Sequence, residues 1–167
     1  MMTISKIACC TDFSENAEAA FVMAVDMAEK YQARLSVIHV LPPVVNPLTT
    51  DTDWMPPDES KTSLILKLEE RMEQAYGARI PDHVDCEFVV LDGHISTEIL
   101  IYLEENQSDI VITGSYGLTG MGLVLFGSVA KRISQKAPCS VMIVRGPEKD
   151  QDEKKSENSD PGQDASS

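Results

Sequence analysis

A doubly wound α/β domain is the fold class this sequence predicts, and three observations carry it. Five short apolar runs alternate with four stretches of helical periodicity, as expected of strand–helix–strand units around a parallel sheet. The second run, residues 35–40 (LSVIHV), is apolar nearly throughout, which suits a strand covered on both faces. The chain has 167 residues, enough for one domain with a sizeable core. Right-handed crossovers between parallel strands leave few topologies open to such an alternation.

Residues 6–10 (KIACC) read as the first strand, broken by Thr11-Asp12-Phe13-Ser14. Ser14 is a good helix N-cap, with Glu15 favourably placed in the first turn. Ala17, Ala20, Phe21, Ala24, Val25, Ala28 and Tyr31 then recur on one helical face. After the second strand, residues 41–57 are rich in proline, threonine and aspartate and carry Trp54, the only tryptophan. Such a long irregular segment is expected to be functional or mobile, with Trp54 tacking it to the body.

Helical spacing resumes over residues 60–77 through Leu64, Ile65, Leu68, Met72, Ala75 and Tyr76, with Gly77 as a stop. Residues 84–91 (VDCEFVVL) read as a third strand whose polar Asp85 and Glu87 suit a sheet edge. A third helix over 95–105 turns Ile99, Leu100 and Leu103 inward, and the fourth strand covers 110–113. A long glycine-rich loop, a helix opened by Ser128 and a fifth strand at 141–144 complete the alternation. Residues 1–146 form the expected domain. Beyond it, 147–167 has no apolar anchor and reads as a disordered acidic tail.

The formal net charge is −13 and the pI about 4.5. So acidic a chain argues against nucleic acid or an anionic membrane as partner, because phosphate surfaces need basic neutralisation. No apolar run approaches the about 18 residues of a membrane span, and residues 1–4 lack the layout of a signal peptide. The expected compartment is the cytoplasm. Cys9, Cys10, Cys86 and Cys139 show no CxxC spacing, and His39, His83 and His94 complete no metal set with them. Cys9 and Cys10 are adjacent in a strand and should face opposite sides. Buried, inert thiols are the expectation, with a redox role for Cys10 as the alternative.

The chemistry is concentrated between residues 109 and 145. Gly114 ends the fourth strand, and Gly117, Gly120, Gly122 and Gly127 punctuate the loop that leads to Ser128. Glycines let a ligand approach the backbone closely, and a helix N-terminus at Ser128 would point N–H groups at an anion. Two other phosphate loops are excluded: no lysine precedes Ser128 as a P-loop requires, and Gly120-Met121-Gly122 does not continue into a dinucleotide fingerprint.

Gly114, two residues, Gly117, nine residues, Gly127-Ser128 resembles the signature of the universal stress protein family, as does the run APCSVMIVR that follows. The resemblance spans residues 6–145. It implies an adenine-nucleotide-binding, Rossmann-like single domain with strand order 3-2-1-4-5, whose ligand sits where strands 1 and 4 part. It also implies roles: Asp12 beside ribose and phosphates, the backbone of Val40 on adenine, and Gly114, Gly117, Gly127, Ser128 and Val129 around ribose and phosphates. The implied ligand is ATP, or AMP or ADP, with Mg²⁺. Family members dimerise through the last strand, which maps onto residues 140–145.

The pattern departs from ATP-binding members at Tyr116 and Leu118, where histidine and a basic residue are frequent. No lysine or arginine lies between Gly114 and Ser128. Phosphates would then rest on backbone amides, Ser128 and the divalent ion. No nucleophile–base arrangement accompanies the loop, so the expected role is a sensor or adaptor and not an enzyme, with slow ATP hydrolysis at most. The alternatives are a dimeric interaction protein of the same fold that binds no nucleotide, and an ATP-dependent hydrolase or transferase, against which the missing pyrophosphatase loop counts.

Overall fold

Five parallel strands and four helices arise where the two periodicities alternate. The computed structural model describes residues 3–43, 58–116 and 127–146. The strands are β1 (Lys6–Cys10), β2 (Arg34–Leu41), β3 (Cys86–Asp92), β4 (Ile110–Gly114) and β5 (Ser140–Val144). The helices are α1 (Glu15–Tyr31), α2 (Asp58–Tyr76), α3 (Ile95–Glu105) and α4 (Ser128–Lys136), with a 3₁₀ turn at Gly77–Arg79. Trp54, Gly117, Leu118, most of the 41–57 segment and the tail 147–167 lie outside the described residues.

The sheet order is β3-β2-β1-β4-β5, with every pair parallel. Winding reverses between β1 and β4, which pair through Ile7 with Ile110 and Cys9 with Ile112. β3 is an edge, as its polar start predicted, and β5 is the other. Alternation along the strands divides the core in two. Ile7, Cys9, Leu35 and Val37 face α1 and α2 through Phe21, Ala24, Met72 and Tyr76. Ala8, Cys10, Ile38 and Val111 face α3 and α4 through Ile99, Leu103 and Ile133. Cys9 and Cys10 therefore lie on opposite sides, as expected. A fully buried side chain such as Phe21 contributes about 1.5–3 kcal/mol of the favourable transfer energy.

Local chemistry sets the helix ends. Ser14 is extended (φ −78°, ψ 165°) and its side chain accepts from the Ala17 N–H, as a capping serine should. α1 ends at Gln32 in the left-handed region (φ 52°), its N–H satisfying the carbonyls of Ala28 and Glu29. Two expectations need correction. Tyr31 is exposed, because the chain is already turning through Gln32 into β2. In α2, Met72 and Tyr76 are buried but Leu64 and Ala75 are exposed. Tyr76 already meets Thr11 at the carboxyl end of β1, and Lys61 pairs with Asp92 at the carboxyl end of β3. The first turns of α2 thus lie over the outer corner of the sheet, where less apolar surface is available to cover them. α2 does end directly before Gly77, as expected, and the chain continues into the 3₁₀ turn that Gly77 opens.

At the opposite, amino-terminal edge, Asp109 Oδ2 accepts from Ser5 N (2.8 Å), Ser5 Oγ (2.9 Å) and Lys6 N (2.8 Å). One carboxylate thereby joins the entries of β1 and β4. Those bonds, led by the Ser5 amide, hold its carboxyl below the usual range.

Candidate functional site

At the carboxyl edge, β1 ends in a turn built by its own side chains. Thr11 N donates to Ile38 O (2.8 Å), and the buried Thr11 hydroxyl lies 2.5 Å from the Tyr76 hydroxyl. Thr11 Oγ1 also accepts from Phe13 N (3.0 Å), and Asp12 Oδ1 accepts from Ser14 N (3.0 Å). Phe13 takes φ 62°, a conformation unusual for a bulky residue and one that persists only where its surroundings fix it. Its ring lies 5.0 Å from that of His39 and 6.0 Å from that of Tyr76, stacked on the latter. His39 Nδ1 is 2.9 Å from Thr11 O; the carbonyl can only accept, so Nδ1 carries the proton. His39 is thus a hydrogen-bonded, half-buried residue.

β4 ends against the start of α1. A Cβ added to Gly114 would fall 2.7 Å from Asn16 C and 2.9 Å from Ala17 N. The glycine therefore admits the helix backbone, a reason independent of any ligand. Ser115 follows, fully buried, and three segments meet on it. Its N–H donates to Val144 O (2.8 Å), its carbonyl accepts from Gly127 N (2.7 Å), and its hydroxyl donates to Asn16 Oδ1 (3.4 Å). Asn16 Oδ1 also accepts from Gly146 N (2.8 Å). The two ends of the glycine loop are thus joined directly, and both are tied to α1 and β5.

Gly127 (φ −64°, ψ 161°), and not Ser128, is the N-cap of α4. Having no side chain, it cannot cap the helix, whose first bond inward is Lys131 N to Gly127 O (3.0 Å). Ser128 is the first helical residue and is exposed; Val129 is half-buried. Among the described residues no side chain caps the first-turn amides, at the end of the helix where its dipole favours negative charge. The Ser115–Gly127 bond places that helix end beside Gly114, and β1–β4 pairing places half-buried Asp12 one strand away. Val40 lies at the end of β2, buried and paired with Leu91 of β3. Asp12, Val40, Gly114, Gly127, Ser128 and Val129 accordingly gather at the carboxyl edge where the winding reverses. Gly117 falls outside the described residues.

Sequence reasoning missed Thr11, Asn16, Ser115, Arg71 and Tyr76. Thr11 and Ser115 adjoin the recognised motifs and could have been flagged as small polar residues at strand ends. Asn16, Arg71 and Tyr76 act through tertiary contacts that no local pattern announces. Arg71 brings a cation to this edge, its guanidinium carbon 3.9 Å from the Phe13 ring centroid. Among the described residues no group of three His, Cys, Asp or Glu could hold a metal ion. Burial pushes the Cys10 thiol up to about 12, with a smaller push from Cys139. Burial, then the nearby Glu87 carboxylate, takes Cys86 to about 12 as well. Neither is an activated thiol.

Known proteins share the fold. The chain is 29% identical over 150 residues to the universal stress protein MJ0531 of Methanocaldococcus jannaschii, covering 87% of this chain and 84% of that protein. Its fold is similar to that of the universal stress protein UspA from Lactobacillus plantarum, with a TM-score of 0.68 and 21% identity over 87% of this chain and all of that one. It is similar too to a universal stress protein from Archaeoglobus fulgidus solved in complex with dAMP (TM-score 0.53, 19% identity, 86% and 99% covered). The sequence model of the universal stress protein family matches residues 3–145, every strand and helix described above. The chain belongs to the universal stress protein family.

Proposed function

We propose that this protein binds an adenine nucleotide (ATP, or AMP or ADP) at the carboxyl edge between β1 and β4, and acts as a cytoplasmic sensor or adaptor in a stress response. The observation that carries the proposal is the start of α4. Among the described residues no side chain caps its first-turn amides, and they stand at the end of β4, one strand from Asp12, at the reversal of winding. Gly127, Ser128 and Val129 would hold phosphate, Asp12 the ribose, and the Val40 backbone the base; Gly117 joins them from the family motif. Gly114 serves the site by admitting α1. The Archaeoglobus fulgidus relative, solved with dAMP, supports the ligand class. With no ligand group of three among the described residues, Mg²⁺ would arrive on the phosphates and be held mainly by them, with Asp12 assisting. The assigned residues bind and orient; none is given a catalytic role.

The same proposal includes a homodimer through β5. This strand is an open edge of the sheet, and Val141, Met142, Ile143 and Val144 are only half-buried there. An apolar edge invites pairing, and a two-fold copy would satisfy its backbone groups. Among the described residues no helix is long and apolar enough to cross a membrane. The direct test is to denature freshly purified protein and assay the extract for nucleotide. Adenine nucleotide at a fixed stoichiometry is expected. An empty extract, together with no uptake of added ATP or AMP, would favour the dimeric interaction protein instead.

A further inference from the structure

We infer that Arg71 is a base-stacking residue of the candidate site, its guanidinium forming one wall against the purine. The inference rests on the proposed nucleotide binding and names a contact which that proposal does not contain. Phe13 adjoins Asp12 in the chain and is held at φ 62° by Thr11, which also receives His39. Its ring faces are already engaged: Tyr76 stacks on it, His39 tilts against it, and Arg71 lies over it at 3.9 Å. The phenyl ring is therefore a platform for the guanidinium and is not itself open to a ligand.

Arg71 differs from the other two arginines that adjoin this half of the fold. Arg34 pairs with Asp85 and Glu87, and Arg79 pairs with Glu18. Arg71 makes no ion pair with any described residue, although the chain is strongly acidic, and it remains exposed. A guanidinium that lies over one ring and remains exposed can take a second π system, because its weakly hydrated plane accepts aromatic faces. The assigned base position is consistent with this: Val40 directly follows His39, whose ring touches Phe13. The phosphate end, at Gly127, lies across β1 and β4 from that corner.

The test compares adenosine with ATP on the full-length protein by titration calorimetry. Arg71→Ala should weaken both ligands by the same factor, about two- to fivefold as for an exposed cation–π contact. Arg71→Lys should recover little, since an ammonium has no plane to stack. Phe13→Leu should cost a similar factor, and the double variant should lose no more than either alone. A loss confined to ATP would make Arg71 a phosphate contact and overturn the inference, as would full recovery in Arg71→Lys or unchanged affinities. If the wild type bound neither ligand, the proposed function would fail first, so the two failures are distinguishable.

Discussion

Gly114→Ala tests how the candidate site is braced. The new Cβ would lie 2.7 Å from Asn16 C and 2.9 Å from both Ala17 N and Asn16 Cβ. Comfortable carbon contacts are about 3.5–4.0 Å, so α1 would have to retreat by roughly 1 Å. Two of the three atoms are helix backbone, which cannot swing aside as a side chain can. The expected cost is about 1–3 kcal/mol, the range for overfilling a packed interior. At about 2–4 °C per kcal/mol for a domain near this size, the midpoint should fall by about 2–12 °C. Retreat of Asn16 would also loosen its bonds to Gly146 N and the Ser115 hydroxyl, so nucleotide affinity should fall with stability. Thermal and urea unfolding followed by circular dichroism provide the assay. An unchanged midpoint would refute the claim that α1 presses on β4 and leave Gly114 with a ligand-facing role alone.

Three more outcomes follow from particular contacts. Asp109→Asn should destabilise the protein at neutral pH. Because the folded carboxyl titrates below its unfolded value, the wild-type advantage is complete above the unfolded pKa of about 3.9 and disappears as pH falls through the folded one. Urea melts at several pH values check this; a gap independent of pH would mean that the charge is immaterial. Iodoacetamide at mildly alkaline pH should leave Cys9 and Cys10 unmodified in the folded protein and label them in urea, because burial raises both thiols; rapid labelling of the native state of Cys10 would restore the redox alternative. Light scattering should report a dimer that Val141→Lys or Ile143→Lys dissociates; a monomeric parent, or a dimer indifferent to both, would remove β5 as the interface.

Much of the fold was legible because local and tertiary signals agree. Ser14 caps α1 as a serine before an acidic first turn should, and α3 occupies the span its periodicity marks. The strand order followed from the glycine-loop resemblance, since apolar runs alone do not say which strands are neighbours. Burial was misjudged where a helix outruns the sheet beneath it: Tyr31 and Leu64 continue an apolar stripe past the surface available to cover it. At the site, glycine spacing located the loop but not the division of labour within it. Gly114 makes room for a helix, Gly127 brings no side chain of its own to cap the next, and Ser115 joins the two. Arg71 was invisible as a site residue because Phe13, its partner, lies far away in sequence.

On the proposed function, the start of α4 binds the phosphates of an adenine nucleotide. Calorimetric titration of wild type and Gly127→Val with Mg-ATP and with AMP addresses it most directly. Gly127 takes extended angles that valine tolerates, so the variant should fold, as circular dichroism can verify. Saturable one-site binding by the wild type, abolished or strongly weakened in the folded variant, is the expected result. Absence of binding by the wild type, or undiminished binding by the variant, would contradict it.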